Sequence, residues 1–172
     1  MYPASCRHVD ELADVLTQVF HPAVGLAALV FPLLRAGVRE DLKRRLQRDS
    51  SQYYCLGAWT SAGLIGTVEI GLRRSRDRGG VRRYPYIANL AVLPRYRRRG
   101  AARQLLHAAE DVAKAWGCER IYLHVMEDNR AARRLYHHLD YRLWRARRTF
   151  WSALGWPRQM LLCKHLSEIP PC

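Results

Sequence analysis

One stretch of the sequence, residues 89–103, carries the residue types that bind phosphate groups. It reads NLAVLPRYRRRGAAR, an apolar strand followed by a basic turn and by the start of a helix at Gly100. Free backbone N–H groups and the helix dipole attract anions at a helix N-terminus, and small residues let a phosphate approach closely. A site for a phosphate-bearing ligand is therefore predicted at Arg97, Arg98, Arg99, Gly100, Ala101 and Ala102.

The elements around this turn are predicted from the hydrophobic periodicity. The helix after Gly100 has apolar residues at i, i+3, i+4 and i+7 spacing, and Gly117 is expected to end it. Strands are predicted before and after that helix, over 86–92 and 120–125. Asn129 is expected to cap a short helix over 130–139.

The flanking segments predict further helices and hairpins. Helical spacing predicts a helix over 9–20 and a second helical region over about 23–47, which Pro32 is expected to kink or break. Helices alternate with strands, and several strands adjoin through short turns, which favours one α/β domain over 1–172 with a mixed sheet. Strands of hairpins are predicted over 53–59, 64–72, 141–150 and 160–165.

The amino-acid composition indicates a globular protein with a strong positive charge. The 172 residues include 29 Lys and Arg against 15 Asp and Glu, a net charge of +14, with an ordinary 49% of hydrophobic residues. Such a charge indicates an anionic partner: nucleic acid, a phosphate-bearing cofactor or an acidic protein. The five cysteines are scattered without metal spacing, which indicates free, mostly buried thiols in a reducing compartment and no metal site. The longest uncharged apolar run, over 22–34, is too short to span a bilayer.

Two motifs resemble a known family. Arg97-x-x-Gly100-x-Ala102 resembles the Arg/Gln-x-x-Gly-x-Gly/Ala acetyl-CoA signature of the GNAT superfamily of N-acetyltransferases, and LAVLPRY over 90–96 is similar to the preceding family segment. Glycine is commoner than alanine at the position of Ala102. The resemblance covers about 53–142. A second block follows at the family's distance: Tyr122-Leu123-His124-Val125, Asn129, Ala131-Ala132 and Leu135-Tyr136.

The resemblance implies a fold and a cofactor site. The expected fold is a mixed, mostly antiparallel twisted sheet, splayed between two central parallel strands, with helices on both faces. Residues Arg97 to Ala102 would hold the pyrophosphate of acetyl-CoA, and Asn129 would contact the cofactor arm. Backbone groups for the thioester and pantetheine would come from Leu90, Ala91 and Val92.

The resemblance also implies direct attack of a neutral amine on the acetyl thioester. The enzyme then has to remove a proton from the ammonium and protonate the leaving thiolate. Tyr136 would protonate the thiolate, and His124 with Tyr86 would accept the amine proton through water, with Glu69 as the reserve base. Each of these residues has a packing role as its alternative. Trp144, Trp151 and Trp156 are expected to pack in the core or closing hairpin rather than to form a substrate cage.

Acid–base chemistry orders the acceptor amines. An α-amine has a pKa near 7.7–8.0 and lysine one near 10.4, so the neutral form costs about 1 and about 4–5 kcal/mol at pH 7. A His/Tyr base therefore favours protein N-termini first and lysine side chains second. Alternatives are a small-molecule amine, or a GNAT-fold binding module that docks on RNA or an acidic protein.

The positive charge is concentrated in one region. Residues 73–103 contain 11 arginines and one acid, Asp77. The cofactor turn accounts for some of these arginines, whereas those of a predicted loop over 73–83 are expected to contact an acidic protein or a ribosome, or to be merely solvated. The absence of a secretory signal favours the cytoplasm, or the plastid stroma for a processed chain.

Overall fold

The computed structural model describes residues 2–4, 8–20, 27–47, 51–77, 80–147 and 158–166. The described helices are α1 (Val9–Phe20), α2 (Ala27–Leu46), α3 (Ala101–Ala115) and α4 (Arg130–His138). A 3₁₀ turn covers Pro94–Tyr96. The described strands are β1 (Tyr2–Pro3), β2 (Tyr53–Thr60), β3 (Gly63–Asp77), β4 (Gly80–Val92), β5 (Arg120–Met126), β6 (Arg142–Arg147) and β7 (Gln159–His165).

The chain forms two compact units. The first comprises Met1–Gly71 and Asn89–Ala109, and the second comprises Leu72–Ala88 and Glu110–Cys172. The strand order is β1-β2-β3-β4 in the first unit and β3-β4-β5-β7-β6 in the second, because β3 and β4 contribute to both. β4 and β5 run parallel, whereas β1–β2, β2–β3, β5–β7 and β6–β7 are antiparallel. This confirms the predicted α/β class with a mixed, mostly antiparallel sheet and one parallel pair.

The first unit has a core between helices and sheet, as the helical spacing predicts. Leu12 and Ala13 of α1 and Leu42 of α2 are fully buried. They pack with strand residues that include Cys55 and Ala91. Helix α2 continues through Pro32, so the expected break there is wrong. A proline within a helix removes one backbone hydrogen-bond donor, which is a local loss in a helix of 20 residues.

Helices cover both faces of the sheet in the first unit. Ala91 points into the core with α1, and the next residue, Val92, points to the opposite face, as alternation along a strand requires. A Cβ added to Gly66 would lie 2.8 Å from the Ala91 carbonyl oxygen, 3.0 Å from Val92 Cγ2 and 3.3 Å from Leu105 Cδ1 of α3. Gly66 therefore permits close packing of β3, β4 and α3.

A polar triad lies inside the second unit. Glu110 of α3 is 4% exposed and accepts hydrogen bonds from the Tyr141 hydroxyl at 3.0 Å and from Lys164 Nζ at 2.7 Å. Both carboxylate oxygens accept a hydrogen bond, so the buried charge is paired and hydrogen-bonded. The triad joins α3, the residue before β6, and β7 within this unit. It stabilises the segment that follows α4.

The basic segment over 73–83 is not a loop, which corrects the prediction. β3 extends to Asp77 and β4 begins at Gly80. β3 and β4 are neighbours in the sheet, and arginine does not interrupt a strand because its side chain leaves the backbone donors and acceptors able to pair. Gly80 has a φ of 105°, in the left-handed region where a turn favours glycine. Residues 78 and 79 lie outside the described residues.

Candidate functional site

The turn before α3 has the geometry of an anion site. Gly100 has a φ of 84°, and a Cβ added there would meet no atom within 4 Å, so backbone conformation rather than crowding requires glycine. The first helical hydrogen bond runs from the Gln104 N–H to the Gly100 carbonyl at 3.1 Å. The N–H groups of 101–103 are therefore those that a first helical turn leaves without intrahelical partners. Ala101 and Ala102 add little bulk beside them.

The three arginines of the turn differ in their surroundings. Arg97 Nε donates to the Val92 carbonyl at 3.0 Å, which ties the turn back to the end of β4. Arg98 has a φ of 63° and is exposed, as is Arg99. Arg98 and Arg99 therefore offer their guanidinium groups to solvent, whereas Arg97 also orders the turn. A pyrophosphate fits such a turn because it needs backbone donors and nearby positive charge.

The end of β4 carries a local kink. Asn89 has a φ of 50° within the strand, Leu90 is half-buried, and Ala91 and Val92 are buried. The Val92 carbonyl is the acceptor for Arg97, and Leu93 N–H donates to the Ile65 carbonyl at 2.9 Å. A kink in an otherwise paired strand re-aims backbone groups, which is what a cofactor arm bound along this strand would require.

The side chain of Glu69 supports that kink. Glu69 is 2% exposed, its Oε1 accepts from Asn89 Nδ2 at 2.8 Å and its Oε2 accepts from Arg45 at 2.6 Å. Both carboxylate oxygens are thus engaged by donors. This arrangement favours a positioning role for Glu69 over the reserve role of base.

Tyr86 and His124 form a hydrogen-bonded pair in the second unit. The Tyr86 hydroxyl lies 2.7 Å from His124 Nδ1, on neighbouring parallel strands in which Tyr86 is in register with Tyr122. Tyr86 is 8% exposed, and burial raises the pKa of its phenol, while the nearby Arg73 opposes that rise. The pair can pass a proton between hydroxyl and imidazole.

Tyr136 lies on the short helix that Asn129 begins. The Asn129 side chain accepts from the Ala132 N–H at 3.1 Å, which confirms the predicted N-cap. Tyr136 is 7% exposed, and burial raises its pKa to about 12, with repulsion from a Tyr86 phenolate as a further cause. Tyr136 therefore keeps its proton near neutral pH. Tyr86, His124 and Tyr136 all belong to the second unit.

Sequence reasoning missed several aromatic contacts around this pair. Arg73 lies 3.4 Å above the centroid of the Tyr86 ring. Tyr122 meets Tyr84 and Trp144 edge-on, at centroid distances of 5.4 and 6.0 Å. Trp144 is 53% exposed on the edge strand β6, which pairs with β7, so of its two expected places, the core and the closing hairpin, the core is wrong. Alternation of aromatic residues along 84–86 and 120–124 was the available signal. Trp151 and Trp156 lie outside the described residues.

Other candidate features were sought in the described part of the chain. An open cavity of about 480 Å³ adjoins the start of α3 in the first unit, and its lining includes Trp59, Tyr96, Arg99 and Ala101. No group of three His, Cys, Asp or Glu side chains among the described residues could hold a metal ion. None of the described helices has the length and apolarity needed to cross a bilayer. Cys55 and Cys163 are free and buried, and Cys118 is free and half-buried.

Comparison with known proteins places the chain in a family. The family model described as Acetyltransferase (GNAT) family matches residues 23–141. GCN5-related N-acetyltransferase 10, chloroplastic, of Arabidopsis thaliana is 28% identical over 174 residues, which cover 92% of this chain and 68% of that protein. The match to GCN5-related N-acetyltransferase 4, chloroplastic, of the same plant is 45% identical over 51 residues. It covers 30% of this chain and only 18% of the length of that relative.

Solved structures share the fold. PaiA N-acetyltransferase of Thermoplasma acidophilum, in complex with coenzyme A, has a TM-score of 0.69 at 19% identity, covering 96% of this chain and 99% of that one. Naa20 of Chaetomium thermophilum, in complex with a bisubstrate analogue, has a TM-score of 0.68 at 16% identity, covering 95% and 85%. The predicted class, an acetyl-CoA-dependent N-acetyltransferase, and the predicted co-substrate, acetyl-CoA, are both confirmed. Because the family model matches most of the length of this chain, the chain belongs to the acetyltransferase (GNAT) family.

Proposed function

We propose that this protein transfers the acetyl group of acetyl-CoA directly to an amine of a protein, with N-terminal α-amines favoured and lysine side chains as a second class. The observation that carries the proposal is the 2.7 Å contact between the Tyr86 hydroxyl and His124 Nδ1, with the buried Tyr136 in the same unit. A base and an acid are the two groups that direct acetyl transfer to an amine requires.

The residues that would hold the co-substrate are those of the kinked strand and the turn after it. The N–H groups at the start of α3, with Arg97, Arg98 and Arg99, would bind the pyrophosphate. Backbone groups of 90–92 and the Asn129 side chain would contact the arm, although Asn129 also serves as a helix cap. When bound, acetyl-CoA supplies the acetyl group as a thioester.

Proton transfer by the protein's own side chains completes the proposed mechanism. His124 accepts the proton of the incoming ammonium, with Tyr86 and water as the path, because a neutral imidazole accepts protons near pH 7. Tyr136 stays protonated because of its pKa of about 12, and it donates to the leaving sulfur. Tyr136 thus holds the proton that its proposed role requires at neutral pH.

The choice of acceptor rests on amine chemistry. A His/Tyr base suffices for an α-amine, whereas deprotonation of lysine at pH 7 costs about 3–4 kcal/mol more free energy. A small polycationic amine is the alternative acceptor, and the net charge of +14 repels it. A binding module without catalysis is the other alternative, and the intact Tyr86, His124 and Tyr136 arrangement weighs against it.

We further propose the extent, partner and location of this activity. One acetyltransferase domain over 1–172 is supported by the family match at 23–141, which includes residues of both compact units. The arginines of 73–83 would contact an acidic protein or a ribosome through their positive charge. The cytoplasm or the plastid stroma is proposed as the location. The free thiols suit a reducing compartment, and the relatives' names include the word chloroplastic.

A peptide library tests the proposed function. The protein is incubated with acetyl-CoA and peptides that carry free or blocked N-termini, with and without lysine, and the products are identified by mass spectrometry. We expect acetylation mainly at free N-termini and more slowly at lysine. Stabilisation of the fold by acetyl-CoA without acetylation of any peptide would favour a small-molecule acceptor. No stabilisation by acetyl-CoA would favour the binding module.

A further inference from the structure

The Tyr86–His124 pair lies on a sheet face of the second unit that is rich in aromatic residues. Side chains alternate along a strand, so Tyr84 shares a face with Tyr86, and Tyr122 shares one with His124. The edge-on contact of Tyr84 with Tyr122, 5.4 Å between centroids, and the tilted contact of Tyr86 with His124, 5.6 Å, show that the two strands present the same face. We call it the aromatic face.

Two arginines on this face are held by aromatic rings. The Arg73 guanidinium lies 3.4 Å from the centroid of Tyr86, and that of Arg120 lies 5.5 Å from the centroid of Trp144. Among the described residues neither arginine forms an ion pair with a carboxylate. A guanidinium placed over a ring keeps its N–H edge available for a carboxylate, which it can bind through two parallel hydrogen bonds.

The charge of the aromatic face is uniformly positive. On each of the two parallel strands, the first described position of this face is an arginine and the next two are aromatic or imidazole side chains. None of these positions is Asp or Glu. They are Arg82, Tyr84 and Tyr86 on β4 and Arg120, Tyr122 and His124 on β5. An anion that approaches His124 therefore meets the positioned Arg73 guanidinium, and one that lies further along β5 meets that of Arg120, whereas a cation meets no compensating carboxylate on these two strands.

The spacing of the two arginines fits a short extended peptide. The Arg73 guanidinium lies on the Tyr86 ring, and the Tyr86 hydroxyl contacts His124, so a single tyrosine side chain separates Arg73 from His124. Arg120 precedes His124 by four residues on β5, which is a rise of about 13 Å along the strand. An extended peptide covers that distance in about four residues.

From this arrangement we infer that the acceptor is a peptide whose first four residues include acidic side chains, which Arg73 and Arg120 bind. The inference rests on the proposed function, because it takes the reacting amine to lie at the Tyr86–His124 pair. An acid next to the amine would be bound by Arg73, and an acid about three residues further along would be bound by Arg120.

Ring geometry favours an acidic peptide over RNA on the aromatic face. Single-stranded nucleic acid binds such surfaces by stacking bases on open ring faces. Here Arg73 covers a face of the Tyr86 ring, while Tyr84, Tyr122 and Trp144 meet one another edge-on. The most available recognition groups are therefore the guanidinium edges, which suit carboxylates.

A pair of peptides tests the inference with the full chain and saturating acetyl-CoA. The peptides lack lysine and differ only in their first residues, Ser-Asp-Asp-Asp against Ser-Asn-Asn-Asn, and kcat/KM is measured for each. We expect the acidic peptide to be preferred about tenfold, and the preference to shrink as salt is added. Moving a single Asp through positions two to four shows which site contributes.

Variants connect that preference to the two arginines. The ratio of the two kcat/KM values should fall in Arg120→Gln, approach one in the double variant Arg73→Gln/Arg120→Gln, and be partly kept in Arg120→Lys. Lys114→Gln is the matched control, because Lys114 is an exposed cation in the last turn of α3, and it should keep the wild-type ratio.

The outcomes separate the inference from the proposed function. Equal kcat/KM for the two peptides, or a preference that both arginine variants keep, would overturn the acidic acceptor while leaving protein acetylation in place. No acetylation of either peptide would overturn both. Competitive inhibition by a short single-stranded RNA, with equal use of the two peptides, would assign the aromatic face to RNA and overturn the inference.

Discussion

The Tyr86 hydroxyl and His124 Nδ1 lie 2.7 Å apart on the two parallel strands of the sheet, Tyr86 buried and His124 half-buried. This contact gives the proposed base a fixed orientation, because one ring nitrogen is engaged by the phenol. A fixed ring orientation is what a residue that takes up the amine proton requires.

Removal of the Tyr86 hydroxyl should slow transfer. Tyr86→Phe keeps the ring under Arg73 and loses the 2.7 Å bond to His124. We expect kcat to fall by roughly tenfold to a hundredfold, with little change in the affinity for acetyl-CoA. Tyr84→Phe, two residues earlier on the same strand, loses a hydroxyl outside the His124 pair and should cost much less. Equal losses in the two variants would assign Tyr86 a packing role.

Tyr136 should act as the acid that protonates the leaving sulfur. Tyr136→Phe is expected to lower kcat by about a hundredfold at an unchanged Kd for acetyl-CoA. Burial raises the pKa of Tyr136 to about 12, so the wild-type rate should show no alkaline loss from this residue below that pH. A wild-type rate in Tyr136→Phe at every pH would contradict the general-acid role.

The turn before α3 should control acetyl-CoA binding. In Gly100→Ala the φ of 84° becomes unfavourable for the new residue by about 1 kcal/mol, and the first helical turn shifts. KM for acetyl-CoA should rise several-fold. Gly117→Ala is the control: Gly117 has a φ of 71° at the other end of α3, so this variant should lose stability without a rise in KM for acetyl-CoA. The comparison is made by steady-state kinetics and urea denaturation. Similar KM values in the two variants would place the phosphates elsewhere.

The buried Glu110 should make Lys164 important for stability. In Lys164→Met the buried Glu110 carboxylate loses the cation that pairs with its Oε2, while the Tyr141 hydroxyl still donates to Oε1. We expect the free energy of unfolding to drop by about 3 kcal/mol. The double variant Glu110→Gln/Lys164→Met should recover much of that loss, because no unpaired charge is left. A double variant no more stable than Lys164→Met would show that packing dominates.

Local sequence patterns predicted the helices, the Asn129 cap and the turn before α3. The spacing of Leu12, Ala13 and Leu16, the glycine at 117 and the cap at Asn129 act within one or two turns of chain, so their consequences are visible in the sequence. The mixed sheet with one parallel pair followed from the order of the elements.

Long-range contacts were harder to predict. Arg73 was placed in a loop, whereas it lies in a strand and stacks on Tyr86, 13 positions further along the chain. The partners of Glu69 come from Arg45 and Asn89, and no local pattern relates these three residues. Such contacts depend on strand register and helix docking, which a single sequence specifies only through the packing of the whole fold.

The most direct test of the proposed chemistry is the pH dependence of acetylation of one lysine-free peptide with a free α-amine, in the wild type and in His124→Ala. We predict that the wild type acetylates this peptide and not its N-blocked form. His124→Ala should lose kcat/KM mainly below about pH 7, because at higher pH more of the amine is already neutral. No transfer by the wild type, or superimposable pH profiles for the two proteins, would contradict transfer to a protein amine with His124 as the base.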